Sequence, residues 1–479
     1  MKKRSLLVFA FALLAGCTVG PNYQRPPVTA PEQIRGQVGP AEAASLADRA
    51  WWEVFQDDAL KALIDEALRN GYDVRLAAWR VEEARAAAGI SRAQLAPQVQ
   101  AGAGGSRGQA SKLITPGAEP INLYDANLSV SWELDLWGRI RRLNEAAQAQ
   151  YLATEEGRRG VLLSLVSDVA DSYFQLRELD LELEIARRTS SAFQETYDLF
   201  NRRLEAGAAS GLETASAGAS LASTAANIPN LERQIAAQEN QLSFLLGRNP
   251  GPIARGKALA DQLLPPEIPA GLPSDLLQRR PDLRAAEQQL VAANADVGVA
   301  VANFFPRLSL TGVFGGVAPQ VGDLFGDGRT WSVGGGLLSP VLQGPRLSQE
   351  HRAAVARWEQ AKVRYEAGVT NAFAEVSTAL VAYQKLAAIE QEQARAVASY
   401  RQAVRLSNER YLSGLADYLE VLQAQQQQFV AESSLARTRF DRLASLVQLY
   451  KVLGGGWQLS NQEWTGPQGQ TAAAPQTLQ

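Results

Sequence analysis

Few residues in the chain could carry acid–base, nucleophilic or metal chemistry, and they do not converge. His351 is the single histidine and Cys17 the single cysteine. One of each, far apart in sequence, gives no Cys–His pair, no second imidazole for a metal and no intramolecular disulfide. His351 falls at the start of a long helical pattern and reads as a solvent-facing side chain. Neither a GxxxxGK[ST] phosphate loop nor a GxGxxG dinucleotide fingerprint opens a helix. The adjacent acids Glu82–Glu83 and Glu155–Glu156 read as solvated helix faces. Asp57–Asp58 precede a helix, where carboxylates suit the positive end of its dipole. The expectation is a protein that is not an enzyme and that uses no metal or cofactor.

The N-terminus has its own logic. Lys2, Lys3 and Arg4 precede an apolar run, Leu6 to Leu14, too short to span a bilayer as a helix. It reads as a secretory signal over 1–16. Leu14-Ala15-Gly16-Cys17 resembles the lipobox of bacterial lipoproteins, which implies acylation at Cys17 after cleavage. Thr18 follows, where an Asp would signal inner-membrane retention in many such proteins. Removing 1–16 takes away three positive charges, so the net charge moves from −3 to −6. That balance argues against a nucleic-acid partner. Beyond the signal there is no run of about eighteen apolar residues, so any membrane crossing must use strands.

The chain repeats itself. At an offset of 209, Asp73, Arg75, Ala77, Ala84, Ala86, Gly89, Ala93 and Pro97 recur as Asp282, Arg284, Ala286, Ala293, Ala295, Gly298, Ala302 and Pro306. At an offset of 207, Leu199, Asn201, Arg203, Gly207, Ala209, Leu212 and Glu213 recur as Leu406, Asn408, Arg410, Gly414, Ala416, Leu419 and Glu420. The apolar stripe Leu162, Val166, Val169, Tyr173, Leu176 and Leu179 has the spacing of one helix face. Shifted by 207 it becomes Val369, Phe373, Val376, Leu380, Tyr383 and Leu386, again all apolar.

Each half therefore reads in one order. A helix (57–96, then 275–305) ends at Pro97 or Pro306. Two strands follow, then a very long helix (138–206, then 346–413) with Gly207 or Gly414 as its C-cap. A return helix ends near Leu246 or Leu453. The organisation is a signal at 1–16, a lipidated, extended linker at 17–50, a first repeat at 51–247, a proline-rich linker at 248–273, a second repeat at 274–457 and a disordered tail at 458–479. A helix of this length reaches about 100 Å, more than one compact core needs.

The strand signal is strongest at 124–136. Tyr124, Ala126, Leu128, Val130, Trp132, Leu134 and Leu136 alternate with Asp125, Asn127, Ser129, Ser131, Glu133 and Asp135. Thirteen alternating residues suffice for a tilted membrane strand. Leu128, Val130, Trp132 and Leu134 are then lipid-facing, and Asp125, Glu133 and Asp135 lumen-facing. Tyr124, Trp132 and Trp137 are placed like interfacial girdle residues. Weaker strands read at 98–106, 307–314 and 329–342. A soluble amphipathic sheet is the alternative on alternation alone. Four strands cannot close a barrel, so the membrane reading requires an oligomer.

The ordered segments CTVGPNYQRP (17–26), WWEVFQDDALKALIDEALRNGYDVRLA (51–77), WELDLWGR (132–139), LLQRRPDLRAAE (276–287), ANFFPRLSLTG (302–312) and LGGGW (453–457) resemble the TolC-like outer-membrane factors. The likeness is to the lipoprotein branch serving resistance–nodulation–division multidrug pumps, and it covers nearly the whole mature chain. It implies a mainly α fold with β, in a homotrimer: four transmembrane strands per protomer make a twelve-stranded outer-membrane barrel, continued by a periplasmic helical barrel. It implies a passive exit duct without catalytic residues, lipid-anchored in the outer membrane. The implied partners are a periplasmic adaptor and an inner-membrane pump. It also implies a periplasmic gate at the hairpin tips, with Leu419 in an apolar constriction. Gln423 and Gln426 stand where relatives often carry an Asp and an Arg, so an ionic lock there is in doubt and an amide or apolar closure is expected.

Other readings remain beside the multidrug duct. Metal-ion efflux or protein secretion could use the same fold, although Met1 is the only methionine, so a soft-metal relay is not expected. A lipid-anchored periplasmic scaffold is the reading from another class.

Overall fold

The computed structural model describes residues 18–37, 45–262, 264–265, 268–460 and 463–464. The signal, Cys17 and the tail from 465 lie outside these residues.

The principal elements, in chain order, are α1 (Asp58–Asn70), α2 (Tyr72–Ala93), β1 (Gln98–Gly108), β2 (Ile121–Leu134), α3 (Arg139–Glu205), α4 (Gly211–Leu245), α5 (Pro281–Ala302), β3 (Arg307–Ala318), β4 (Arg329–Leu338), α6 (Gly344–Leu412) and α7 (Tyr418–Val452). The duplicated order is visible in the backbone. Gly207 and Gly414 both take positive φ, 71° and 69°, and Gly247 and Gly454 repeat this at 72° and 78°. At the first pair, the amide of Ala208 donates to the Arg203 carbonyl at 2.7 Å and that of Leu415 to the Arg410 carbonyl at 2.9 Å. This is the six-residue closure of a Schellman cap, which needs a left-handed residue that glycine adopts without a Cβ clash.

Two expected single helices are each broken. The 57–96 pattern divides at Gly71, which ends α1 with ψ 135° while its amide still bonds the Ala67 carbonyl at 2.7 Å. A Cβ on Gly71 would stand 2.6 Å from that carbonyl oxygen. The 275–305 pattern divides at Arg280, whose ψ of 121° is the extended state imposed on a residue before proline, here Pro281. The strands also differ from expectation. β2 ends at Leu134, so Asp135 is not a strand residue, and β4 stops at Leu338 rather than 342.

The chain divides into two compact units: Met1–Pro27 with Trp79–Glu155 and Ala285–Ala367, and Val28–Ala78 with Glu156–Arg284 and Gly368–Gln479.

The first unit holds one four-stranded antiparallel sheet in the order β1-β2-β3-β4, so the strand pair of each repeat joins through β2 and β3. Both indoles at the end of β2 tie down the chain that leads into β1 and β3. Trp132 Nε1 donates to the Leu95 carbonyl at 3.0 Å, and Trp137 Nε1 to the Pro306 carbonyl at 2.8 Å. Trp137 also stacks on Phe305 at 4.8 Å. The segment from Thr18 is strapped alongside. Val19 N donates to the Trp137 carbonyl, Arg142 Nη2 to Asn22 Oδ1 at 2.8 Å, and Asn294 Nδ2 to the Pro21 carbonyl at 3.0 Å. Arg25 meets Glu287 through two donors, Nε at 2.7 Å and Nη2.

The second unit holds the largest apolar core. Leu60, Ile64 and Ala67 of α1, Val166, Val169, Tyr173 and Leu176 of α3, Val376 and Leu380 of α6, and Leu446, Leu449 and Tyr450 of α7 are buried in it. Leu162 to Leu176 of the first stripe and Phe373 to Tyr383 of the second point into this cluster, while Leu179 packs in a smaller one with Ala186 and Leu231. Each fully buried side chain of this size contributes about 1.5–3 kcal/mol. Trp464, placed by sequence in a disordered tail, is buried here too, and its carbonyl accepts from Trp51 Nε1 at 2.9 Å. A short Trp-containing segment after a glycine turn can fill a core wedge that its polar neighbours in sequence conceal. Glu156, read as solvated, is likewise buried and pairs with Arg284 at 2.7 Å and Arg159 at 3.3 Å.

Candidate functional site

The sheet has two chemically different faces. Residues opposite one another in a ladder share a face. Leu128 stands between Ala101 and Phe314, and Phe314 faces Trp331. Val130 stands between Val99 and Gly312, with Val333 next across. Trp132 meets Leu310, and Leu134 meets Leu308 and then Leu337. This face is apolar on all four strands except at one end, where it carries Arg107, Asn122 and Arg329, and Trp331 and Val333 are 71% and 80% exposed. The opposite face carries Gln98, Gln100, Ser129, Ser131, Ser309, Thr311 and Ser332, interrupted by Val313 and Val317 and, toward the strand ends, by Ile121, Leu123 and Leu338. At fourteen residues, β2 is long enough, when tilted, to cross a hydrocarbon core of about 30 Å. Among the described residues, β1 and β4 each have one neighbour, so one edge of each strand is unpaired.

The three carboxylates assigned to a lumen differ in their surroundings. Asp125 lies on the polar face opposite Gly104, and the missing Cβ there leaves room for its carboxylate. Glu133 is held bidentately by Arg139, at 2.9 and 2.8 Å. Asp135 accepts from the amides of Ile140 and Arg141 at 3.0 and 2.9 Å and pairs with the Arg141 side chain. It therefore seats the N-terminus of α3, and its place in a strand face is corrected: free helix amides bind a carboxylate better than a pore would. His351, expected in solvent, is half-buried with its ring edge-on to Phe304 at 6.4 Å.

In the second unit the two hairpin tips pack on an aromatic knot. Phe200 and Tyr418 meet edge-on at 4.4 Å, Tyr411 and Tyr418 at 5.4 Å, and Val421 and Leu422 complete the cluster. Arg203 donates to the Tyr411 hydroxyl. Ser210 caps α4 through a box with Glu213, and Asp417 caps α7 by accepting from the Leu419 amide at 3.2 Å. The Leu419 side chain is half exposed, which suits neither a packed core residue nor a buried one. Gln426 Nε2 donates to Ser220 Oγ at 3.2 Å, a neutral link from α7 to α4. Gln423 lines a groove of about 590 Å³ with Arg410 and Glu420. Glu420 pairs with Arg410 at 3.4 Å. Sequence reasoning passed over Glu420, although its place three residues before Gln423 sets it one turn away on the same helix face.

The segments that carry the sequence resemblance turn out to be scaffold. Arg280 pairs with Asp282 and Glu375, both at 2.7 Å, and donates to the Val452 carbonyl at 3.1 Å. Gly454, Gly455 and Gly456 pack against the Arg279 backbone, the Tyr450 ring and the Trp464 ring, where a Cβ would stand within 3.0 Å.

The sequence profile of the outer membrane efflux proteins matches residues 63–248 and again 272–455. The chain belongs to the outer membrane efflux protein family. Among its relatives, the solvent efflux pump outer membrane protein SrpC of Pseudomonas putida is 36% identical, over 96% of this chain and 100% of that protein. The cation efflux system protein CusC of Escherichia coli is 35% identical with the same coverage. The open-state structure of the Neisseria gonorrhoeae MtrE outer membrane channel superposes with a TM-score of 0.83 at 32% identity, covering 92% of this chain and 99% of that one. This member of the family is accordingly an outer-membrane efflux channel, mainly helical with a small antiparallel sheet. The family and these relatives are channels rather than enzymes.

Proposed function

We propose that this efflux protein works as a homotrimer, with three sheets closing into one twelve-stranded barrel. The supporting observation is the sheet itself: one apolar face, one polar face and two unpaired edges. Such a sheet is stable in lipid only if its edges are paired by further strands. Leu128, Val130, Trp132 and Leu134 then face lipid, and Asp125 faces water. Cys17 carries the lipid anchor, and the strap from Thr18 holds the chain just after it. The helical hairpins line a duct that serves a periplasmic adaptor and an inner-membrane pump of the resistance–nodulation–division class. Leu419, Gln423 and Gln426 act at the periplasmic gate. Mass measurement in mild detergent tests the assembly: a trimer supports it, and a stable monomer overturns it.

The cargo is proposed to be small organic toxicants, drugs or solvents. SrpC is a solvent pump component, and apart from Cys17 the mature sequence offers no thiol or thioether to relay soft metals. Deletion of the gene is expected to sensitise cells to organic compounds and not to copper or silver. The reverse pattern favours cation efflux, the activity named for CusC.

A further inference from the structure

The apolar face of the sheet is asymmetric along its strands. It runs from Leu134, Leu308 and Leu337 beside the helices to Arg107, Asn122 and Arg329 beside the hairpin loops. Arg329 stands in the last rung before the β3–β4 loop, opposite Gly316. Arg107 stands in the next-to-last rung before the β1–β2 loop, opposite Asn122. No carboxylate shares this face, since Asp125 and Glu133 fall on the other. From Leu134 to Tyr124 a strand rises about 33 Å, or about 25 Å of height at the tilt of a barrel strand. That is the height of a lipid-facing apolar band, so Arg107 falls where hydrocarbon gives way to headgroups. The Arg329 row passes through Ala126, and its long stem carries the guanidinium up toward the same level.

The two arginines also lack an anion. At the helix end of the sheet, Arg139 pairs with Glu133 and Arg141 with Asp135. Among the described residues no carboxylate pairs with Arg107 or Arg329, and both side chains are exposed. Glu119, Asp323 and Asp327 lie in the two loops without pairing with either. Both arginines stand on edge strands, β1 and β4. When the edges of neighbouring protomers pair, each seam receives one arginine from either side. Like charges across a strand pair repel, and the low dielectric beside lipid strengthens the repulsion. An anion held between them removes it. Phosphate suits the place, because a planar guanidinium donates bidentately to phosphate oxygens. Trp331, next to Arg329 on the same face and 71% exposed, offers acyl chains an apolar wall.

We propose that Arg329 of one protomer and Arg107 of the next clamp the phosphate-bearing headgroup of an anionic outer-leaflet lipid, so that lipid cements the barrel at the seams between protomers. This clamp rests on the reading of the sheet as one third of a trimeric membrane barrel. It makes the lipid a structural partner: the headgroup supplies the negative charge that the chain itself does not place on this face.

The test uses the full-length protein stripped of lipid in mild detergent. Native mass spectrometry and heat dissociation of the trimer follow its titration with diphosphoryl lipid A, zwitterionic phosphatidylethanolamine or inorganic phosphate. Wild type is expected to retain lipid A and, with it, to fall apart into protomers only at higher temperature. Arg107→Gln and Arg329→Gln are each expected to weaken that retention about tenfold, the loss of one charge-assisted pair. The double variant should gain no heat resistance from lipid A, and without lipid it should resist heat at least as well as wild type, because the repulsion is gone. A double variant that forms trimers and retains lipid A like wild type overturns the clamp and leaves the barrel standing. Equal stabilisation of wild type by phosphatidylethanolamine or inorganic phosphate overturns the assignment to an anionic lipid. Wild-type protein that stays monomeric overturns the barrel reading, and the clamp with it. If the double variant does not assemble, the two single variants decide.

Discussion

The Tyr173 hydroxyl donates to Asp57 Oδ2 at 3.0 Å, joining the middle of α3 to the residue that caps α1. The same carboxylate accepts from the amides of Ala59, Leu60 and Lys257 and from Gln262 Nε2. Burial alone would raise the Asp57 pKa, but the bonds from Gln262, Tyr173, Leu60 and Lys257 outweigh it and hold the carboxyl below its usual range. A depressed folded pKa contributes stability that is present above the unfolded value, near 3.8, and is lost as pH falls through the folded value. Asp57→Asn is expected to cost about 1–3 kcal/mol at neutral pH and to flatten the acid loss below pH 4. Thermal unfolding in detergent at neutral and acid pH reads both effects.

Glu178 predicts the opposite slope. Its carboxyl is pushed up to about 7, chiefly by burial and then by the Glu182 charge, with Asp441 adding and Arg437 opposing. A raised folded pKa gives stability that is present below the unfolded value and lost as pH rises through the folded one. Wild-type melting temperature should therefore fall between about pH 5 and pH 8 from this group. Glu178→Gln should remove much of that fall, and an unchanged profile would show that the pair does not control it.

The two glycines matched by the duplication make a paired test. Gly298 packs against the Arg142 side chain, and a Cβ there would stand 2.9 Å from Arg142 Cδ. The equivalent Gly89 has nothing within 4 Å. Gly298→Ala is expected to destabilise by about 1–3 kcal/mol through overpacking. Gly89→Ala should instead stabilise its helix by up to about 1 kcal/mol. Melting temperatures of the two variants against wild type read the difference in sign.

The sheet predicts opposite labelling at neighbouring positions. Val333→Cys, on the apolar face, should resist a membrane-impermeant maleimide in intact outer membranes, and Ser332→Cys should react. Equal reaction at both would place the sheet in water.

Leu419→Ala should raise channel conductance while leaving the unfolding free energy within about 0.5 kcal/mol of wild type, because the side chain is half exposed. Conductance equal to wild type removes Leu419 from the gate.

The sequence alone determined whatever depends on local period and local backbone. The stripes from Leu162 to Leu179 and from Val369 to Leu386 defined helix faces because side chains three and four apart share a face. Gly207 and Gly414 marked helix ends because left-handed closure selects glycine. The alternation through β2 was legible for the same kind of reason, and so was the duplication. Gly71 and Pro281 were also readable as breaks, yet the apolar periodicity running past them masked the signal. What only the tertiary structure decided is the fate of charge. Glu133, Asp135 and Glu156 look equally solvated in a linear reading, but Glu133 and Glu156 are ion-paired and Asp135 caps α3. Glu432 finds Arg188 and Arg401 across 244 and 31 residues of chain. No local pattern encodes such partners, because a carboxylate is stabilised by whichever donors the packed helices bring near it. The same holds for Trp464, which joins the core cluster against Trp51, far away in the chain, and Gly456, where the chain turns back.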